Sequence, residues 1–169
     1  RRRGDSGSLG HTSTIVGQPA NVDNMPTWHS PFILLDYASR WRFEPSTFRR
    51  GVGEHPHRGF ETITYLLAGR MRHRDSNGQS ADLGPGDVQW MTAGRGVQHS
   101  EMFPLLNREG PNTLELFQIW LNLPANKKMA EPHFKMLWNE EIPTVHQDGV
   151  DIRLVAGTLE EKKALAPPP

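Results

Sequence analysis

Two histidines separated by a single proline, His55 and His57, lie in the stretch G-E-H-P-H-R-G-F-E-T (53–62), with Glu61 four residues after His57. A second short-range pair, His99 and Glu101, lies in G-R-G-V-Q-H-S-E-M-F (94–103). Neutral imidazole and carboxylate are ligands that suit divalent first-row metals. Side chains two residues apart on a strand share a face, and Pro56 biases His55 toward extended backbone. Each pair therefore offers both of its side chains to one side. Two such strands lying together bring four ligands to one point, and a rigid β wall holds them there. A solvated turn is the competing reading of His55-Pro56-His57 alone; the second pair moves the balance to a metal site. The other histidines stand singly, and for His29, His73, His133 and His146 a core or surface position is expected. His11 falls in a polar N-terminal stretch.

The elements that must carry these pairs are short strands. Glu61–Leu67 reads E-T-I-T-Y-L-L, with threonines alternating against Ile63, Tyr65 and Leu67, which is a strand pattern. Asp75-Ser76-Asn77-Gly78 and Leu83-Gly84-Pro85-Gly86-Asp87 have turn chemistry, and Val88–Met91 comes next as a strand. Phe32–Leu35 opens the first clear strand. Thr113–Leu123, ended by Pro124, is the longest apolar run and suits a strand buried on both faces. Phe134–Leu137 and Val150–Val155 complete the set. No long segment shows a 3.6-residue period, so the expectation is a sandwich or barrel of antiparallel strands.

Composition narrows the chemistry further. The 169 residues suit one domain. Lys+Arg and Asp+Glu balance at 19 each, which speaks against direct nucleic-acid binding, a function that needs a basic surplus. There is no cysteine, so thiolate metal sites, disulfides and cysteine nucleophiles are excluded and any metal must be held by nitrogen and oxygen. The nearby serines lack the setting of a nucleophile elbow. No apolar run approaches the roughly 20 residues of a membrane span, and no signal-peptide pattern opens the chain. A cytoplasmic protein is expected, or also a nuclear one if the source is eukaryotic. Residues 1–30, rich in Gly, Ser, Thr, Asn and Pro, are expected to form an arm or loops. Residues 31–160 form the metal-binding domain, and 161–169, ending in three prolines, form a linker.

The block H-P-H-R-G-F-E-T-I-T-Y-L-L-A-G, with D-L-G-P-G-D-V-Q-W-M-T-A-G-R-G-V-Q-H-S-E-M after it, closely resembles the N-terminal domain of the pirin family within the cupin superfamily. K-K-M-A-E-P-H-F-K-M-L and E-I-P-T-V-H-Q-D-G-V-D-I-R-L-V-A-G are similar to the next stretch of pirin sequences, so the likeness runs from about Phe32 to Gly157. Against the general cupin pattern, the glycine after Glu61 comes one residue late, at Gly69, Thr92 stands for proline and Phe103 for asparagine; pirins share these departures. The resemblance implies an all-β, cupin-type double-stranded β-helix (a jelly-roll barrel), the N-terminal half of a bicupin whose second cupin domain would come after Pro169. It also implies a mononuclear metal, Fe(II) first, at His55, His57, His99 and Glu101. Ligand chemistry alone leaves Mn, Co, Ni, Cu and Zn open.

The general cupin pattern would choose Glu61 as the carboxylate ligand, whereas the pirin resemblance chooses Glu101. Strand parity permits both. Glu101 lies one pleat from His99, about 6–7 Å along a strand, while Glu61 must reach back across Gly59, a residue that readily bends the chain. Glu101 is therefore expected to be the fourth ligand and a catalytic carboxylate, and Glu61 a supporting one that orients an imidazole. Four protein ligands leave two positions of an octahedral metal for substrate and dioxygen. Similarity to bacterial pirins implies a quercetin 2,3-dioxygenase type of activity on a flavonol-like aromatic. Similarity to eukaryotic pirins implies instead an iron-dependent, redox-sensing co-regulator that binds a transcription factor. Ile63, Tyr65 and Trp90 are expected to line the apolar pocket of the barrel.

Overall fold

The computed structural model describes residues 13–16 and 30–165. Of the expected N-terminal arm, Ser13–Val16 and Ser30 are described; the rest of 1–30, with His11 and His29, lies outside the described residues, as do 166–169 at the end of the expected linker. Among the described residues the regular structure is β, apart from one 3-10 turn at Ala125–Lys127. None of their helices is long and apolar enough to cross a membrane.

The strands are β1 (Ser13–Val16), β2 (Phe32–Phe43), β3 (Gly51–His57), β4 (Phe60–Ala68), β5 (Met71–Asp75), β6 (Ser80–Leu83), β7 (Val88–Thr92), β8 (Val97–Met102), β9 (Asn112–Asn122) and β10 (His133–Leu137). They form two antiparallel sheets, one of six strands in the order β1-β2-β9-β4-β7-β10 and one of four in the order β3-β8-β5-β6. Two short hairpins complete the chain, β11 (Thr144–Gln147) with β12 (Val150–Arg153) and β13 (Thr158–Leu159) with β14 (Lys162–Lys163). This is the expected all-β cupin architecture, one sheet laid over the other.

The turns are dictated by their residues. Asp75 closes the β5–β6 hairpin by accepting backbone N–H bonds from Asn77 and Gln79 at 2.9 and 3.0 Å, and Gly78 takes the left-handed conformation the turn needs. In the β6–β7 turn the Asp87 carboxylate accepts from the Gly84 N–H at 2.7 Å. Gly69 has φ +94°, and a Cβ there would meet the Thr113 carbonyl oxygen at 2.2 Å. The glycine that arrives one residue late by the cupin pattern therefore stands where β9 passes against the β4–β5 turn.

Inside, the space between the sheets is layered. Leu66, Met71, Leu83, Leu114 and Leu116 are buried in one apolar cluster with Ala38 and Phe103, each large side chain contributing roughly 1.5–3 kcal/mol by burial. Next to this floor, Thr62, Thr64, His73, Gln89, His99 and Glu101 are buried polar groups. A polar layer inside a barrel is costly unless its members satisfy one another or a ligand, so its position marks the working end of the fold.

Ile63, Tyr65 and Trp90 do not line this interior. They pack on the outer face of the large sheet with Val88, Leu137 and Ile142, beneath Val155 and Leu165 from the C-terminal segment. The inward residues of β4 are Thr62, Thr64 and Leu66, as Gln118 shows by bonding both Thr64 and Glu101. Both faces of this sheet are covered, so local alternation does not say which is the inside.

Gly51 begins β3 with φ +143°, and a Cβ there would come within 2.3 Å of the Glu101 carbonyl oxygen. Gly51→Ala is expected to push β3 off β8, costing about 1–3 kcal/mol, or several degrees in melting temperature, and to loosen the end of the sheet that carries His55 and His57 with it. A variant that melts within a degree of the wild type would show that the close approach is unimportant.

Candidate metal centre

Strands β3 and β8 run antiparallel with His55 opposite His99 and His57 opposite Val97. Val52 pairs with Glu101, so three steps on β3 match two on β8, and the register shift between Val52 and His55 is the extra residue of a β-bulge. The bulge rotates the His55–His57 segment until both histidines face His99. Ring centroids then lie 4.3 Å apart for His55–His99, 4.7 Å for His55–His57 and 4.8 Å for His57–His99. One donor nitrogen from each of the three falls within 4.8 Å of the others.

The protons on these rings are constrained. His55 Nδ1 lies 2.8 Å from the Gly53 carbonyl; a carbonyl only accepts, so Nδ1 carries the hydrogen, and Nε2 is the nitrogen left to a metal. That Nε2 sits 3.1 Å from His57 Nε2. Two imidazole nitrogens on one ion with bonds of about 2.1 Å stand roughly 3 Å apart when adjacent. His99 Nε2 is buried and has no hydrogen-bond partner among the described residues, a costly state for a polar atom that a bound cation would relieve. Burial, helped by the neighbouring His55 charge, lowers the His57 pKa to about 4. Burial, with His55, His57 and His73 adding, lowers that of His99 to about 3. Both rings are therefore neutral at physiological pH, the form that binds metal. The three histidines fit a metal ion.

Glu101 shares the inward face of β8 with His99. Its carboxylate turns to Gln118, whose Nε2 donates to Oε1 at 3.1 Å and Oε2 at 3.4 Å, and it stands outside the three-histidine cluster. Burial raises its pKa, against the opposing pulls of His55 and the Gln118 hydrogen bond. Glu61 has the parity of Ile63 and accepts a 2.7 Å bond from the Thr92 hydroxyl across the β4–β7 ladder. Thr92, which stands where the general pattern has proline, thus serves as a partner for Glu61.

Four residues beyond the expected set join the site: Gln118, Trp120, Phe60 and His73. Gln118 also donates to Thr64 Oγ1 at 3.2 Å, while its carbonyl accepts from Trp120 Nε1 at 2.9 Å. Trp120 stacks on Phe60 at 4.7 Å, and both present to the His57 ring at 5.1 and 5.0 Å. His73 reaches His99, with Nδ1 atoms 3.3 Å apart. Gln118 was legible as a polar residue inside the longest apolar run, and His73-Arg74-Asp75 as a third pair at the same spacing. His133 and His146 are exposed, as expected. A separate cavity of about 760 Å³ opens on the other side of the small sheet, among Arg72, Arg74, Gln98 and Ser100, and is not part of this centre.

The family model described as Pirin matches residues 12–121. The chain belongs to the pirin family. It is 47% identical over 130 residues to a Pseudomonas aeruginosa protein that bears the name "Putative quercetin 2,3-dioxygenase"; the match covers 76% of this chain and 46% of that protein. Among solved structures it resembles a quercetin 2,3-dioxygenase from Acinetobacter baumannii, with TM-score 0.78 and 40% identity over 85% of this chain and 51% of that one. It also resembles the Escherichia coli pirin YhhW in complex with nickel(II), with TM-score 0.51 and 30% identity over 64% and 42% of the two chains. The chain thus spans about half the length of these pirin-family relatives.

Proposed function

We propose that this chain carries the metal centre of a dioxygenase that opens flavonol-like aromatic rings, in the manner of quercetin 2,3-dioxygenase, with Fe(II) as the working metal. The observation that carries the proposal is the convergence of three imidazoles beside a buried carboxylate of raised pKa, next to an aromatic pair. The family relatives named for quercetin 2,3-dioxygenase support the substrate class.

When bound, the metal would supply Lewis-acid and redox chemistry. His55, His57 and His99 would hold it, with Glu101 as the fourth ligand. The carboxylate of Glu101 also takes the substrate hydroxyl proton: a raised pKa brings it toward the working pH, where a general base is most effective. Gln118 steadies that carboxylate through its amide. Phe60 and Trp120 offer flat apolar surface to an aromatic ligand beside His57 and exclude water there.

The test is oxygen uptake and carbon monoxide release with quercetin, on protein loaded anaerobically with one equivalent of Fe(II), and in parallel with Mn, Co, Ni, Cu and Zn. Turnover is expected with Fe(II), falling by about 10²–10⁴-fold in Glu101→Ala. Metal-loaded protein that consumes no oxygen with quercetin would remove the flavonol dioxygenase and leave the redox-sensing co-regulator.

A further inference from the structure

Met71, His73 and Asp75 share the inward face of β5, whose neighbour β8 places Glu101 opposite His73 and His99 opposite Asp75. His73 is completely buried, and the Asp75 side chain is 2% exposed. A chain of contacts runs from the β5–β6 turn to the centre. Asp75 Oδ1 accepts the backbone N–H groups of Asn77 and Gln79. Asp75 Oδ2 lies 3.2 Å from His73 Nε2. His73 Nδ1 lies 3.3 Å from His99 Nδ1.

These contacts admit one consistent set of protons. Oδ1 accepts two backbone N–H groups and a carboxylate oxygen is an acceptor, so His73 Nε2 is the donor to Oδ2. The other nitrogen of neutral His73, Nδ1, is then bare and accepts. The donor facing it must be His99 Nδ1–H, which leaves His99 Nε2 as a lone pair. That Nε2 is the buried ring nitrogen without a hydrogen-bond partner among the described residues.

We propose that Asp75 and His73 are positioning residues that order the ring tautomer of His99 and hold its Nε2 open for a metal. The proposal rests on the assignment of His99 as a ligand. A histidine ligand backed by a carboxylate or carbonyl is a common device for orienting the ring and raising its basicity. Here the carboxylate acts at one remove, through a second imidazole, and the order starts in a hairpin turn whose backbone pins Asp75. A buried His–Asp pair that only fills the core would stack just as well, since His73 also lies 4.6 Å from Phe134 in a parallel arrangement. The two roles part when the donor–acceptor order is reversed.

Asp75→Asn makes that reversal. Asn keeps an oxygen for the turn N–H groups but turns an NH2 toward His73 Nε2, which must then accept. His73 moves its hydrogen to Nδ1, His99 Nδ1 becomes the acceptor, and His99 Nε2 acquires the hydrogen that blocks ligation. The same logic makes a carboxylate-to-amide change beside a catalytic histidine enforce the wrong tautomer. His73→Phe keeps the ring and its stacking but removes the acceptor, leaving the His99 tautomer unordered.

The experiment uses metal-free protein labelled with ¹⁵N in histidine, together with Co(II) titration of the same samples. Wild-type His99 is expected to show a protonated Nδ1 and a bare Nε2. Asp75→Asn should invert that pattern, and both Asp75→Asn and His73→Phe should weaken Co(II) binding by about 10–100-fold. Asp82→Asn, which breaks a surface pair with Arg72, should change neither signal. A His99 tautomer unmoved by Asp75→Asn, or Co(II) affinities within twofold of wild type in both variants, would overturn the proposal. Wild-type protein that shows the ordered tautomer yet takes up no Co(II) would sink the metal assignment and leave the ordering of His99 standing.

Discussion

Glu101→Gln is expected to raise the melting temperature of the metal-free protein at pH 7 while weakening its retention of a divalent metal at least about tenfold. Burial raises the Glu101 pKa. A group whose folded pKa lies above its unfolded one contributes stability below the unfolded pKa and loses it as pH rises through the folded value. At pH 7 an ionised Glu101 therefore costs stability, and a neutral amide of nearly the same shape removes that cost. The gain is read as a rise in melting temperature, each kcal/mol being worth roughly 2–4 °C for a domain of this size. The Gln118 contact survives, because the new side chain keeps a carbonyl oxygen to accept from Gln118 Nε2. Metal retention is expected to fall because the change removes the anionic group proposed as the fourth ligand. Glu61→Gln provides the contrast: its partner is the Thr92 hydroxyl, so metal retention should stay within about twofold. Scanning calorimetry of the metal-free variants and a competition titration of the loaded ones measure the two halves separately. If Glu61→Gln proved the more damaging to metal retention, the roles of the two carboxylates would have to be exchanged.

The metal-free protein should lose stability steeply between about pH 6.5 and pH 4. His57 and His99 titrate near 6.5 when unfolded but near about 4 and about 3 when folded. Above pH 6.5 both states hold them neutral and the shift has no effect. Below it, the unfolded chain takes up protons that the native state refuses, so unfolding becomes easier as pH falls. The two shifts together are worth on the order of several kcal/mol, a large share of the stability of an ordinary domain. Glu101 works in the opposite sense over part of this range, so the fall should be steepest in Glu101→Gln. Urea melts at half-unit pH intervals would reveal it. His99→Leu should give a visibly flatter curve, whatever its stability at pH 7. Parallel curves for wild type and His99→Leu would mean that the buried imidazole is not the source of the acid sensitivity.

The chemistry of the centre was legible in the sequence because it depends on short-range rules. Two residues apart means one face of a strand, so His55 with His57 and His99 with Glu101 declare themselves as pairs without any fold. The Gly/Pro turns and the strands at Glu61–Leu67, Val88–Met91 and Thr113–Leu123 arise from equally local chemistry. The missing cysteines restrict the ligands to nitrogen and oxygen. The two long blocks of residues carry the family likeness.

The tertiary structure decided everything that depends on which elements meet. Ile63, Tyr65 and Trp90 alternate as an interior face should, yet the C-terminal segment covers them from outside, and the threonines between them face the barrel. Alternation fixes two faces but does not name the inner one when both are buried. His55 stands opposite His99 only because a bulge shifts the register and Gly51 lets β3 pass against the Glu101 backbone. Gln118, Trp120 and His73 enter the site from β9 and β5, at sequence separations of 17 for Gln118–Glu101 and 26 for His73–His99. A hydrogen bond across that distance depends on how the sheets stack, and the stacking is settled by burial over the whole chain rather than by any short stretch of it.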